Sequence, residues 1–307
     1  MSAPTFDLQV NGFAGVDYQR PGLSAADLRR SCDALRAHGT TRMLFTLITD
    51  TIDAMAAQLA HLERLREADP VVSATIAGYH LEGPYLLPEP GYHGAHEPHK
   101  MKAPDRAEFD RLWAASGGRV RLVTLAPEWP GSPEFIRHVG AHGVRTAIGH
   151  SNADDRALDA AIAAGLTLCT HVGNGVPAQL HRHDNVIQRV LARDELTAVF
   201  IPDGIHVPPG TLRNFVRAKP RDRVLFTSDC MAAAGGPPGR YTIGRLEIEV
   251  GADGVVREPG KPNFAGSSLT MDRALANVQR FLGWSAAEAE WACGAGVARA
   301  LGLPEGG

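Results

Sequence analysis

Eight short apolar, β-branched runs alternate with helix-like segments along almost the whole chain, and this alternation limits the fold more than any other feature. The runs lie at 5–10, 42–48, 74–81, 120–125, 145–149, 167–172, 197–201 and 223–227. Apolar spacing and capping signals predict helices at 25–37, 51–68, 105–115, 132–142, 153–164, 186–192, 209–218, 271–281 and 285–301. Ser24 stands at an N-cap position and Gly39 just past the end of the first helix. Strands joined through helices pair in parallel, because a parallel connection needs a crossover. Eight such units predict an α/β protein, a (β/α)8 TIM-type barrel filling 1–307 as a single domain.

The ends of the strands point to chemistry. Four runs stop at a residue able to bind a metal or move a proton, followed by small or turn residues: Glu82, His150, His171 and Asp229. The gaps between them are 68, 21 and 58 residues. A barrel of roughly 250 residues has about 31 per strand–helix unit, so the gaps read as two units, one short unit and two units. The four residues then fall on strands 3, 5, 6 and 8, at the end of the strands where barrel enzymes place their catalytic groups. Two segments break the rhythm. The Pro-, Gly- and His-rich stretch 84–104 reads as a long loop over the site. The alternation at 239–257, with a turn signal at Ala252-Asp253-Gly254, reads as a β-hairpin insertion.

Composition excludes several function classes. Hydrophobic residues are 44% and charged residues 21% of the chain, as in ordinary globular proteins. A net charge of −3 gives no reason to expect nucleic acid or an anionic membrane as partner. No apolar run approaches the roughly 20 residues of a membrane span, and the first residues show no signal-peptide pattern. Cys32, Cys169, Cys230 and Cys293 are scattered, without the spacing of a disulfide framework or a zinc ribbon. A reducing cytoplasm is the expected location.

Imidazole and carboxylate suit borderline divalent metals. Glu82, His150 and His171 are therefore expected to hold one divalent ion, zinc first, with iron, manganese and cobalt also suited. A bound metal lowers the pKa of water, which fits hydrolysis at a carbonyl with Asp229 as general base. Many metal-dependent barrel hydrolases carry His-x-His on strand 1 to hold a metal pair; here the same alternation presents Gln9 and Asn11. Neutral amides are poor zinc ligands, which argues for one ion. His80, two residues before Glu82, points to the same side of its strand and either ligates or supports the ligands from behind; the second is expected. Cys169 is expected to fill the barrel interior, and Cys230 to point away from Asp229.

Beyond these positions, a set of motifs appears in order: His80-Leu-Glu-Gly-Pro-Tyr85, Gly94-Ala-His96, Gly149-His-Ser-Asn-Ala153, Thr170-His171-x-x-Asn174, His181-Arg182, Asp203-Gly-Ile-His206, Thr227-Ser-Asp229 and Ala265-Gly-Ser-Ser-Leu-Thr-Met271. In this the chain resembles the N-acetylglucosamine-6-phosphate deacetylases of the amidohydrolase superfamily, from Gln9 to about Leu301. The resemblance implies that Glu82, His150 and His171 are metal ligands and that Asp229 is the catalytic acid and base. It implies that His96 polarises the acetyl carbonyl. It assigns Asn174, Gly175, Arg182 and His206 to the substrate and its phosphate, and Leu269, Thr270 and Met271 to the sugar pocket or, equally, to packing at a helix start. The implied activity is removal of the N-acetyl group from an N-acetylhexosamine 6-phosphate, with N-acetylglucosamine 6-phosphate as the first expectation. The alternatives are another N-acyl sugar such as N-acetylgalactosamine 6-phosphate, or a non-catalytic barrel that binds an amino-sugar phosphate. The partner is a small molecule, and the resemblance leaves a homodimer open. Most members also pair N-terminal strands with a C-terminal return in a small β-sandwich, whereas this sequence opens on barrel strand 1, so the likeness is to the barrel domain. The family's Asn-Ala-Met after the strand-6 His is Asn174-Gly175-Val176 here.

Overall fold

The computed structural model describes residues 4–260 and 264–305. Eight strands follow one another around a nearly closed barrel: Thr5–Val10, Thr40–Ile48, Ile76–Glu82, Val120–Leu125, Arg145–Ile148, Leu168–Cys169, Thr197–Phe200 and Val224–Phe226. Each pairs in parallel with the next. The first and eighth meet at a single bridge, Val10 to Cys230, where the Asn11 N–H donates to the Cys230 carbonyl at 2.7 Å. A buried carboxylate does the rest of the joining. Asp7 Oδ1 accepts from the Thr227 hydroxyl at 2.5 Å and the Ser228 N–H at 3.2 Å, and its other oxygen accepts from the Ser228 hydroxyl.

Helices coat the strands, and side-chain caps begin most of them. Ser24, Thr51, Asp105, Asp154 and Asn185 each accept a backbone N–H of the first turn, which satisfies donors that a helix start leaves open. Two helices depart from the sequence expectation. A short helix, Pro70–Thr75, precedes strand 3, which therefore starts at Ile76 rather than 74. Asp69 caps it and Pro70 occupies its first turn, and these local signals outweigh the β-branched Val71-Val72 pair. The expected helix 285–301 is two helices, Ala286–Ala292 and Ala295–Ala300. The Cys293 carbonyl at the break accepts the Phe6 N–H of strand 1 at 2.8 Å, a tertiary bond that no local pattern encodes.

The expected hairpin insertion is present: Gly239–Ile243 pairs antiparallel with Leu246–Val250, and Val256–Arg257 adds a third strand. A two-residue ribbon, Gly12–Phe13 with Val16–Asp17, also follows strand 1. Among the described residues no helix is long and apolar enough to cross a membrane, and all four cysteines are free and buried.

The barrel interior is layered. Phe6, Leu8, Leu44, Leu122, Ala147, Leu168, Val199 and Leu225 make an apolar floor at the N-terminal end of the strands. Above it runs a chain of polar contacts. His80 Nε2 lies 2.8 Å from the Thr124 hydroxyl, which lies 2.7 Å from that of Thr170, and His80 Nδ1 lies 3.4 Å from the Thr46 hydroxyl. Burial pushes His80 down to about 4, so its imidazole is neutral near pH 7. Cys169 does not fill the interior. It packs in the larger core cluster with Ile148, Val186 and Val190, while its neighbour Leu168 enters the floor. The two-residue alternation fails between Cys169 and His171 because the chain leaves the extended conformation at His171, where φ is 27°.

Candidate metal centre

The C-terminal ends of the strands surround a cavity of about 650 Å³, within the range of small-molecule sites. Glu82, His96, His150, His171, Asn174, Gly175, His206 and Asp229 all line it. Glu82 is the last residue of strand 3, His150 and His171 stand two residues past strands 5 and 6, and Asp229 three past strand 8. Of the four non-glycine residues with positive φ among those described, three are His150 (52°), His171 (27°) and Asp229 (49°). Such backbone is strained, and it persists only where the surroundings enforce it.

Glu82, His150 and His171 each offer one ligand atom, all within 4.8 Å of one another, and all three residues are buried. Glu82 Oε1 is 2.9 Å from His171 Nε2 and 3.4 Å from His150 Nε2, and Oε2 is 3.6 Å from His96 Nε2. Burial alone would raise the Glu82 carboxyl, but the three imidazoles gathered around it hold it well below the usual carboxylate range. His150 Nδ1 lies 2.7 Å from the Tyr92 carbonyl. A carbonyl can only accept, so Nδ1 carries the proton and Nε2 presents its lone pair to the cavity, the orientation a metal-binding imidazole needs. One carboxylate and two imidazoles converging in a buried pocket fit a borderline divalent ion.

Around this centre, other groups are held in definite states. The Thr49 backbone N–H donates to His96 Nδ1 at 3.3 Å. That nitrogen therefore accepts, and the proton of the neutral ring sits on Nε2, facing Glu82. Burial pushes both His96 and His171 below the usual imidazole range, against the pull of Glu82. Asp229 Oδ1 accepts from the Asn11 amide at 2.8 Å. Burial, then the charge of Glu82, pushes Asp229 well above the usual carboxylate range, and the Asn11 bond opposes this. The Gln9 side-chain amide, Asn11 Oδ1 and His171 Nδ1 are buried without a hydrogen-bond partner among the described residues. A Cβ on Gly175 would lie 2.8 Å from His150 Nδ1, so the close approach of that loop requires glycine. On the far side of the cavity, His206 Nδ1 lies 2.6 Å from Asp203 Oδ2. Burial raises Asp203, but the hydrogen bond and charge of His206 outweigh it and hold the carboxyl below its usual range.

Not every expected residue reaches the cavity. Arg182 is exposed, four positions beyond Ala178, the last lining residue of its loop. Leu269, Thr270 and Met271 are buried at the start of helix Met271–Leu282, and from that stretch Gly266 lines the cavity instead. Motif and spacing do not single out Glu128, whose carboxylate accepts from the Ser151 hydroxyl at 2.6 Å and the Asn152 N–H at 2.7 Å. It braces the turn directly after His150. The one local signal for it is position, since Glu128 follows strand 4 by three residues. The expected loop 84–104 delivers Gly91, His93, Gly94, Ala95 and His96 to the cavity wall.

No family model matches the chain. Individual relatives do. It is 33% identical over 298 residues to the N-acetylgalactosamine-6-phosphate deacetylase of Escherichia coli O157:H7, covering 97% of this chain and 77% of that protein. It is 34% identical over 315 residues to the N-acetylglucosamine-6-phosphate deacetylase of Bos taurus, covering 98% and 74%. The chain belongs to the N-acetylglucosamine-6-phosphate deacetylase family. The solved structure of an N-acetyl-D-glucosamine-6-phosphate deacetylase from Mycobacterium smegmatis, in complex with N-acetyl-D-glucosamine-6-phosphate, superimposes with a TM-score of 0.89 at 31% identity, covering 99% of this chain and 78% of that one. Membership places the chain among metal-dependent hydrolases that act on amide bonds.

Proposed function

We propose that this barrel removes the acetyl group from N-acetylglucosamine 6-phosphate by hydrolysis, giving the amino-sugar phosphate and acetate. The observation that carries the proposal is one buried cavity in which Glu82, His150 and His171 converge while Asp229 and His96 face the same space. Glu82, His150 and His171 hold one divalent ion, with zinc the first expectation and iron, manganese or cobalt also suited. When bound, such an ion supplies Lewis acidity at neutral pH.

The chain's own residues divide the remaining work. His96 donates its Nε2 proton in a hydrogen bond to the acetyl carbonyl oxygen and stabilises the charge that grows there. Asp229, oriented by Asn11, takes a proton from the attacking water and returns it to the amide nitrogen as the C–N bond breaks. Its raised pKa suits both directions of that transfer. Asn174 and Gly175 hold the sugar, His206 holds the phosphate at the cavity wall and Arg182 meets it from the exposed loop outside that wall, and Leu269, Thr270 and Met271 back the sugar side from the core.

The test is acetate release from purified protein on N-acetylglucosamine 6-phosphate, N-acetylgalactosamine 6-phosphate and unphosphorylated N-acetylglucosamine. The first should be turned over best. Preference for the second would favour the alternative that the E. coli relative supports. No acetate from any of them, with the sugar phosphate still binding, would leave a binding protein rather than an enzyme. Elemental analysis should find one tightly held divalent ion per chain, lost on chelation together with activity. Two ions inside the barrel would overturn the role given to Gln9 and Asn11.

A further inference from the structure

A second group of metal-binding side chains lies outside the barrel mouth, on the helical coat. Asp110 belongs to helix Arg106–Ala115, His138 to helix Ser132–Ala141, and His142 is the residue that ends the latter. One ligand atom from each lies within 4.8 Å of the other two. His138 Nε2 is 2.6 Å and His142 Nε2 3.7 Å from the same oxygen, Asp110 Oδ1. Donor atoms around a tetrahedral zinc-type ion, with bonds of about 2.0–2.1 Å, stand roughly 3.3 Å apart. The separations of 2.6 and 3.7 Å from Asp110 Oδ1 lie on either side of that spacing.

Two features distinguish this group from a surface ion pair. First, His142 Nδ1 lies 3.0 Å from the His138 carbonyl. The carbonyl can only accept, so Nδ1 bears the proton. In the neutral ring Nε2 then points a lone pair toward a carboxylate oxygen, two acceptors face to face, an arrangement that a cation between them would satisfy. Second, aromatic packing holds both rings in place. His142 stands edge-on to Trp113 at 4.8 Å and to Phe109 at 5.4 Å, His138 lies 6.1 Å from Phe109, and the two imidazoles are 5.0 Å apart. Ligands already ordered in this way lose little freedom on binding. The three side chains are 49%, 27% and 25% exposed, in the order Asp110, His138, His142, which leaves a face open for water to complete the coordination.

We infer that Asp110, His138 and His142 form a surface site for one zinc-class divalent ion, which ties helix Arg106–Ala115 to helix Ser132–Ala141. The ligands come from two elements separated in sequence, so binding favours the folded state and acts as a metal-dependent brace on the coat. The site is separate from the Glu82 centre and does not depend on the proposed reaction.

Calorimetric titration of the whole protein with Zn²⁺, after its tightly held ion is in place, tests this. One further ion per chain is expected, with Kd in the micromolar range and a rise in Tm as zinc is added. His138→Gln and His142→Gln should each weaken this event on the order of tenfold or more and reduce the zinc-dependent rise in Tm at a given zinc concentration, with acetate release unchanged. Asp110→Asn keeps the side-chain shape, removes the charge and should weaken the same event. Absence of any further ion up to millimolar zinc, or an unchanged event in the His138→Gln, His142→Gln double variant, would overturn the inference.

Discussion

The two ends of the same eight strands are built to opposite rules. At the floor, eight apolar side chains from Phe6 to Leu225 close the barrel with no polar atom among them. At the mouth, the Gln9 side-chain amide, Asn11 Oδ1 and His171 Nδ1 are buried without partners among the described residues, and His150, His171 and Asp229 hold left-handed backbone. Each such conformation costs of the order of 1–3 kcal/mol, while each floor side chain larger than Ala147 is worth about 1.5–3 kcal/mol once buried. The floor and the helix-facing core offset what the mouth costs. The mouth is thereby free to hold groups in states chosen for chemistry rather than for stability.

Asp229→Asn probes the mouth and should have the largest effect. Turnover should fall about 10²–10⁴-fold, the usual worth of general acid–base catalysis. Metal should stay bound, and Tm should hold or rise, because burial beside Glu82 disfavours the ionised carboxylate. Loss of stability in step with activity would erase the division between the two ends.

Leu122→Ala should do the reverse. The cavity it leaves in the floor should cost about 2–5 kcal/mol in denaturant unfolding, with kcat of the folded enzyme unchanged. A fall in kcat would mean that the floor shapes the site as well as supporting it.

Arg182→Ala tests the outer edge of the mouth. Losing one charge-assisted contact of about 1.5–3 kcal/mol should raise KM for the phosphorylated sugar and leave the unphosphorylated sugar unaffected. Equal loss on both would assign Arg182 to the fold.

Gln9→Met should have the smallest effect. It removes polar atoms that have no partner, so unfolding should become harder by about 1 kcal/mol with the metal content still one ion. A destabilised variant would show that the Gln9 amide finds a partner in the working enzyme, which would narrow the contrast between floor and mouth.

Much of this arrangement is legible in the amino-acid sequence. The strands carry their own period, and the residues that end them are simply the next positions along the chain, so counting alone places Glu82, His150, His171 and Asp229. Helix starts at Ser24, Thr51 and Asp105 are equally local. The hairpin at 239–257 shows in its alternation. Two departures follow from groups outside the run concerned: the last helix breaks where the Cys293 carbonyl bonds to Phe6, and the bend at His171 turns Cys169 out of the barrel.

The sequence by itself therefore determined the order of the elements, the end of the barrel that bears function, and the types of group that meet there, because each is written within a few residues of its own position. Only the tertiary structure decided the state of those groups. The Thr49 N–H on His96 Nδ1, the Tyr92 carbonyl on His150 Nδ1, the Asn11 amide on Asp229 and Glu128 under Ser151 and Asn152 all join different strands or loops. A proton's place on an imidazole, and a carboxylate's hold on it, follow from what lies across the cavity, which closing the barrel decides and no stretch of chain records.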